Sequence, residues 1–526
     1  MGETFDYLKV FAGLPFAMRR FLQRPLTLDD AKRVVCERIQ RREQNFLRSV
    51  EKNIYEYPRS PYLALLQLAG CELGDVRALV KDRGVEGTLR VLREAGVYIT
   101  FEEFKGRKPL VRNGKTISIQ PRDFDNPFAP RHFMVESGGS TGSGTNVGAN
   151  LDYLAENAAH LILLLDTHQV RGIPTAVGVP ILPGGGISFI LQRSYLREAT
   201  QRWYSLIGWR DTKRWLKYDL ATLYILFWSN VFGGGVPMPT TIQPTEADKI
   251  ARWMYEMLQR EGRCLLFTSA SLALRTCIAA EQAGLDLTGA TVRVGGEPVT
   301  AAKVAAMERV GVRVFSGYGM VEAGGIGLGC AQPLGADDVH LSSDTFALIT
   351  HPHRVESIGM TVPAFNLTTL MDTAPKVMLN FQSDDYGIVE ERRCGCPLEA
   401  YGFTTHLREI RSYSKMLGEA VTLIGNEMLR ILEDVLPARF GGTPLDYQLL
   451  EAEDEQGLTR LYLVIHPRIE IADEQQVIDA MLDGMRASSP TADAARAMWQ
   501  HAQTIRIKRA EPQITARGKF SPLRKE

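Results

Sequence analysis

Between residues 264 and 315 short apolar runs alternate with helix-forming stretches, and that rhythm limits the fold more than any other feature of the chain. Cys264 to Thr268, Thr291 to Val294 and Val312 to Phe315 have the length and apolar content of buried strands. Ser271 to Ala283 and Ala301 to Val310, which separate them, have helical length. A β-α-β-α-β order puts parallel strands in one sheet with helices packed over it, so the expected fold class is α/β. The same alternation runs from about residue 130 to 350, and Gly-rich turns follow two of the strands, at Gly295 and Gly296 and at Gly317 and Gly319. Ligands of open α/β sheets bind outside the carboxyl ends of the strands, where these turns fall.

Up to about residue 110 the pattern is helical: Leu28, Ala31, Val34, Val35, Ile39, Phe46, Leu47 and Val50 lie near one face of a 3.6-period helix. Thr27 is its natural N-cap, with Asp30 completing a capping-box-like pair. Residues from about 345 to 405 are strand-like and punctuated by Pro and Gly, as in a small β-rich subdomain. Beyond a boundary near 410, a strand (Leu461 to Ile465), a helix (Glu474 to Ala487) and a basic tail suggest a small α+β domain. The expected division is 1–125, 126–410 and 411–526.

A chain of 526 residues, 45% hydrophobic, can bury enough surface to offset its ordering entropy, which excludes disorder as a description of the whole. Its 61 basic and 61 acidic side chains cancel, so no global field holds a phosphate backbone, and nucleic acid is not an expected partner. The seven cysteines are too few for a disulfide framework, which suits a reducing compartment. The opening residues, interrupted by Asp6, Lys9 and Pro15, do not have the form of a signal peptide. Leu220 to Phe232, the most apolar run, is shorter than the ~20 residues of a bilayer crossing, so no transmembrane segment and a cytoplasmic location are expected.

Five clusters carry candidate chemistry. Ser137 to Thr145, SGGSTGSGT, combines flexible backbone with hydroxyl donors that can cradle a phosphate, or can serve as a linker; it lacks the lysine of a P-loop. Val294 to Thr300, VGGEPVT, follows a strand and offers flat backbone to a purine, or a plain strand-to-helix turn. In Phe315 to Gly325, FSGYGMVEAGG, Tyr318 can stack on a base and Glu322 can coordinate a hard cation. Asp384 and Asp385, in FQSDDYG, can accept from ribose hydroxyls or form an Asx turn. Lys519 follows Gly518 in a basic tail, which is ordinarily solvated.

In this order the five clusters resemble the adenylate-forming superfamily of acyl-CoA synthetases, adenylation domains and luciferases, over about residues 130 to 526. The hydroxyl-rich loop and G-x-E-P turn look most like the phenylacetate-CoA ligase branch. The resemblance implies a large N-terminal adenylate-forming domain, with parallel-sheet layers and a small β subdomain, and a small mobile C-terminal domain. It also implies ATP-dependent activation of a hydrophobic or aromatic carboxylic acid, with Mg²⁺, and transfer to coenzyme A; an amine or a carrier-protein thiol is the alternative acceptor. Residue by residue, Ser137, Gly139, Ser140, Thr141, Gly142 and Thr145 would close over the ATP phosphates, and Gly295, Gly296, Glu297 and Pro298 would form the adenine wall. Tyr318 and Gly319 would hold the base, Glu322 Mg²⁺ and Asp385 the ribose, while Lys519 would neutralise charge during adenylation. Two departures stand out. Val321 replaces a hydroxyl residue, and the hinge motif is irregular, offering Arg408 or Arg411, then Ser412 or Ser414. A catalytically silent nucleotide-binding protein of the same fold is therefore the competing reading from another class.

Cys394 and Cys396 form a C-x-C pair, with Cys330 and His340 upstream, and three thiolates and an imidazole suit tetrahedral Zn²⁺ in a closed, structural site. Unrelated buried thiols are the alternative. The Trp-rich segment from Trp203 to Trp228 can line an acyl or aryl pocket, lie on a membrane surface, or be an ordinary core helix pair. A homodimer is among the assemblies the sequence allows.

Overall fold

The computed structural model describes residues 2–136, 146–209, 215–355, 360–413, 426–453, 459–484, 505–514, 520 and 522–525. A 13-stranded sheet organises most of them. Its parallel half runs Arg313–Met320, Ala290–Gly295, Cys264–Ser269, Thr175–Gly178, Arg202–Ser205 and Pro239–Thr241. From Arg313–Met320 outward the sheet turns antiparallel, through Gly324–Gly329, Val339–Leu341, Thr405–Ser412, Phe381–Glu391 and Met360–Thr369 to Phe346–Val355, and the thirteenth strand, Ile99–Thr100, pairs off this path in parallel with Phe381–Glu391. The β-rich stretch expected as a subdomain is thus hydrogen-bonded into the same sheet, and the large sheet's last strand runs past residue 410 to Ser412.

The α/β expectation holds for a physical reason visible in the alternation of side chains. Leu265, Phe267 and Phe315 face a core shared with Leu161 and Leu165 of helix Leu151–Thr167 and Ile190 of helix Gly186–Tyr195. Leu266, Val292 and Val294 face the opposite core, with Met254 and Met257 of helix Asp248–Glu261 and Leu274 of helix Ala270–Gln282. Both faces of the parallel half are covered, which is why its strands read as continuous apolar runs. The expected N-cap is present: the Asp30 backbone N–H donates to Thr27 Oγ1 at 3.1 Å. The long helix expected after it is two, Leu28–Gln40 and Arg42–Val50, interrupted at Arg41, where φ is −99° and ψ 17°.

A second, four-stranded sheet near the C-terminus, ordered Ile505–Arg509, Thr459–Ile465, Tyr447–Glu453 and Leu523–Lys525, has its own core around Leu463, Val477 and Met481. A buried ion pair ties the preceding helical segment to the large sheet's layer: Lys303 Nζ lies 2.7 Å from Glu433, and both side chains are 1% exposed. Thr300 also donates to Glu433. Among the described residues no helix is long and apolar enough to cross a membrane. Helix Trp215–Val231 instead leaves Leu216, Leu220, Leu223, Phe227 and Val231 exposed.

Lys303→Met would strand the Glu433 carboxylate in the core. The expected loss is about 3–5 kcal/mol in urea unfolding, and an unchanged midpoint would show that the pair is not formed in solution.

Candidate active site

A cavity of about 410 Å³ opens at the carboxyl ends of the parallel strands, bounded by Thr268 and Ser269, Gly295 and Gly296, and Gly317 to Val321, and roofed by His160, Leu164 and Phe189. Its floor is shaped by close backbone approach. Gly295 is the register partner of Gly317, and a Cβ on Gly295 would stand 2.7 Å from the Gly317 carbonyl oxygen. Gly296 turns the chain with φ +76°, a conformation that disfavours side chains.

The next residues are held rigidly. Glu297 accepts from the Ser271 backbone N–H and Oγ, both at 2.8 Å, at the first turn of helix Ala270–Gln282, where a carboxylate complements the helix dipole. Lys303 Nζ donates to the Pro298 carbonyl at 3.2 Å. The Gly295-to-Pro298 turn is therefore bolted to two helices, with the backbone of its glycines left facing the cavity.

The structure brings Tyr318 and Asp385 together across 67 residues of sequence: the phenol donates to Asp385 Oδ2 at 2.7 Å. Burial, and then the Asp385 carboxylate, push the Tyr318 phenol well above its ordinary range, so it remains a donor. Asp384 takes a different part, accepting from Ser412 Oγ at 3.0 Å. Gly319 lies beside a register irregularity in its strand pairing.

Glu322 is buried, and Lys105 donates to it in an ion pair whose side chains are 9% and 7% exposed. The carboxylate expected to meet Mg²⁺ is thus already charge-balanced. A cation would have to displace the ammonium, so this arrangement does not fit a ready magnesium site. Arg408 is engaged with Glu390 and Glu409, and Arg411 with Asp337 at 3.0 Å; neither lines the cavity. The Ser137-to-Thr145 loop and Lys519 lie outside the described residues. Their neighbours do not: Glu136 ends strand Phe133–Glu136 at the cavity wall, and the Phe520 backbone N–H donates to Ser271 Oγ at 3.3 Å. From the Trp-rich segment, only Leu206 is among the described lining residues.

Sequence reasoning missed three features. Lys105, from the N-terminal region, neutralises Glu322. His160 lines the cavity and pairs at 2.7 Å with the fully buried Asp344, which Arg38 also approaches at 3.6 Å. Arg293 also lines the cavity. Each sits in a run that reads locally as ordinary helix or strand, and no spacing signal marks it.

The cysteine cluster assembles, with one change. Cys330, His340, Cys394 and His406 place their ligand atoms within 4.8 Å of one another. Sulfur–sulfur and sulfur–Nε2 separations of 3.7 Å link Cys394 to Cys330 and to His340. His340 Nδ1 is bonded to the Phe403 carbonyl at 2.7 Å, and His406 Nδ1 to Asp338 at 2.8 Å. Both rings therefore turn Nε2 inward, as metal-ligating histidines do, and His406 Nε2 is buried without a hydrogen-bond partner. Cys396, the remaining residue of the expected set, borders these four: it accepts from the Ala331 N–H at 3.4 Å and is bonded to Cys330 and His340, and the bond to Cys330 lowers the Cys396 thiol and raises that of Cys330. His406, adopted from the neighbouring strand, was not legible because it becomes a neighbour of His340 only through strand pairing. The donor set fits zinc, which would supply a structural clamp between two strands and the Cys394 loop.

No family model and no curated protein matches the chain. Among solved structures it is similar to a 2-hydroxyisobutyryl-CoA ligase crystallised in the postadenylation state with 2-HIB-AMP, at 14% identity over 96% of this chain and 91% of that one, with a TM-score of 0.50. Other matches include the amide bond synthetase McbA from Marinactinospora thermotolerans (12% identity, 97% and 98% covered, TM-score 0.42). A third is the anthranilate CoA ligase AuaEII in complex with anthranoyl-AMP (14% identity, 74% and 65% covered, TM-score 0.39). The first of these likenesses shows a fold shared with that ligase.

Protein purified without chelator should carry about one zinc per chain by elemental analysis. Cys394→Ser should remove it and lower the melting temperature. Metal-free wild-type protein with the same melting temperature would overturn the assignment.

Proposed function

We propose that the chain activates a carboxylic acid with a largely apolar body as its adenylate, consuming ATP, and then passes the acyl group to coenzyme A. One observation carries this reading: Gly295 and Gly296 of the glycine turn and Tyr318, which is hydrogen-bonded to Asp385, line a single apolar cavity at the strand ends. A flat backbone wall beside an aromatic ring suits a purine, and a carboxylate one hydrogen bond away suits ribose hydroxyls. The adenylate-forming fold of the 2-hydroxyisobutyryl-CoA ligase supports it further.

In the first step a carboxylate oxygen of the acid attacks the α-phosphorus of ATP, and the bond to the bridging oxygen of pyrophosphate breaks. Two anions are driven together, so the protein's task is positioning and charge balance. Gly295 to Pro298 and Tyr318 hold the base, Asp385 the ribose, and the hydroxyl-rich loop from Ser137 to Thr145 the phosphates. Lys519 supplies the cation that meets the developing charge. Its neighbour Phe520 is docked on Ser271, the residue that anchors Glu297, which supports delivery of that lysine to this end of the sheet. Residues 411–526 act as the small domain that carries Lys519, beside the N-terminal region 1–125 and the core 126–410. Because Glu322 is engaged with Lys105, no step is assigned to magnesium at that carboxylate. In the second step the coenzyme A sulfur attacks the acyl carbon, and AMP leaves with the bonding electron pair. The acceptor is read from the products: an amine would yield an amide, and a carrier-protein thiol a protein-bound thioester.

Two results are expected. Pyrophosphate release should depend on acid, with an acyl-AMP mass when coenzyme A is omitted and an acyl-CoA mass when it is present; no release with any acid in a broad panel would favour the silent nucleotide-binding reading. Lys519→Ala should lower adenylation by roughly 10²–10³-fold, the loss typical of one charge-stabilising donor, while leaving AMP binding intact. Unchanged release by this variant would remove Lys519 from the reaction.

A further inference from the structure

Arg293 enters the cavity from the middle of strand Ala290–Gly295. Its register partners are Phe267 on one side and Phe315 on the other, so it stands on the apolar face that meets helix Leu151–Thr167. Its guanidinium runs forward over the two glycines: a Cβ on Gly317 would meet Nη2 at 2.1 Å, and one on Gly295 would meet Nη1 at 2.9 Å. Glycine at both positions is what gives the guanidinium room.

Among the described residues the charge has no counter-ion. Among the described residues no carboxylate or hydrogen-bond acceptor engages it, and Nε is buried without a partner. The guanidinium lies over the Phe267 ring, 5.8 Å from the centroid. The hydroxyl-rich loop beyond Glu136 contains no acidic residue to serve it. Burial pulls Arg293 down to about 10, so it stays cationic at neutral pH. Elsewhere three buried lysines are paired, Lys105 with Glu322, Lys303 with Glu433 and Lys376 with Asp125, and the buried arginines Arg93 and Arg193 donate to neutral acceptors, Asn366 and Gln382 for the first and Thr200 and the Ala199 carbonyl for the second. An unpaired charge set in a largely apolar cavity is unfavourable, and no described residue offsets it.

We propose that Arg293 is a specificity residue, and that the acid taken by this site carries a second anionic group, a carboxylate in the simplest case, which docks on the Arg293 guanidinium. The inference rests on the acid-activating reading above and names its substrate class: a dicarboxylic acid with an apolar body. The opposite faces of strand Arg313–Met320 separate the two ligand halves. Gly317 shares its face with Arg293, whereas Tyr318, one residue on, projects from the other face to Asp385. Arg293 thus lies on the acyl side and not at the ribose. A planar guanidinium binds a carboxylate bidentately, and the walls around it, Leu161, Leu164, Phe189 and Phe267, suit a hydrocarbon spacer.

The test compares aliphatic and aromatic dicarboxylic acids with their monomethyl esters in acid-dependent pyrophosphate release, using wild type, Arg293→Met and Arg293→Lys. Wild type should prefer the diacid. Arg293→Met should lower kcat/KM for it by roughly 30- to 1000-fold, as removal of one partner of a buried charge pair does. It should also raise the rate with the apolar ester, and Arg293→Lys should restore part of the diacid rate. Arg293→Met protein should melt no lower than wild type, because the charge it removes has no partner to lose. An equal loss with every acid would place Arg293 at the reacting carboxylate or phosphate and overturn the inference. Unchanged specificity with a lower melting temperature would assign it to packing and overturn it equally. If no acid supports release, the activation reading falls by itself. Diacid-induced thermal stabilisation then decides for Arg293: present in wild type and absent in Arg293→Met supports the inference, and the same response in both overturns it.

Discussion

The site depends on one constraint, the close lateral approach of three parallel strands that end in a common row. Ser269, Gly295 and Gly317 occupy that row. Because Gly295 and Gly317 have no Cβ, the strand ends can meet without splaying, and the space above them becomes the cavity floor. Everything that confers chemistry is set relative to this row: the Gly295-to-Pro298 turn leaves one strand, Tyr318 follows Gly317 within the next, and helix Ala270–Gln282 begins after the third. A side chain at either glycine would disturb the wall and the Arg293 channel together.

Charge balance forms a second level of organisation. The buried cations Lys105, Lys303 and Lys376 each meet a carboxylate, and two of these pairs hold the site's surroundings in place. Lys105 brings the N-terminal region to Glu322, and Lys303 fixes both the Pro298 carbonyl and Glu433. Such pairs add modestly to net stability but make the loss of either partner expensive, so they specify an arrangement more than they strengthen it. Arg293 differs from these and from the buried arginines Arg93 and Arg193, which donate to neutral acceptors: among the described residues it has no acceptor at all, and such groups mark places where a ligand completes the electrostatics.

Away from the cavity, the cysteine and histidine cluster works by the same logic at a strand junction. Two imidazoles are oriented from behind, by a backbone carbonyl and by Asp338, so that their inner nitrogens face two thiols. The cluster joins strand Val339–Leu341 to strand Thr405–Ser412, neighbours within the antiparallel half of the sheet. A metal there would reinforce that strand pairing.

By itself the sequence determined the features written into short stretches. The β-α-β-α-β order appeared because strands buried on both faces must be apolar throughout, and the Thr27 cap because its partner is three residues away. The glycine turns were legible because backbone that must approach a neighbour closely tolerates no side chain. Only the tertiary structure decided what required distant residues to meet. It joined the β-rich stretch to the main sheet, set Tyr318 against Asp385, closed Lys105 over Glu322, and brought His406 to His340 through strand pairing. It also left Arg293 without a counter-ion among the described residues, a property no local pattern encodes. Whether a charge is paired depends on every element packed around it, and that is settled only when the chain has folded.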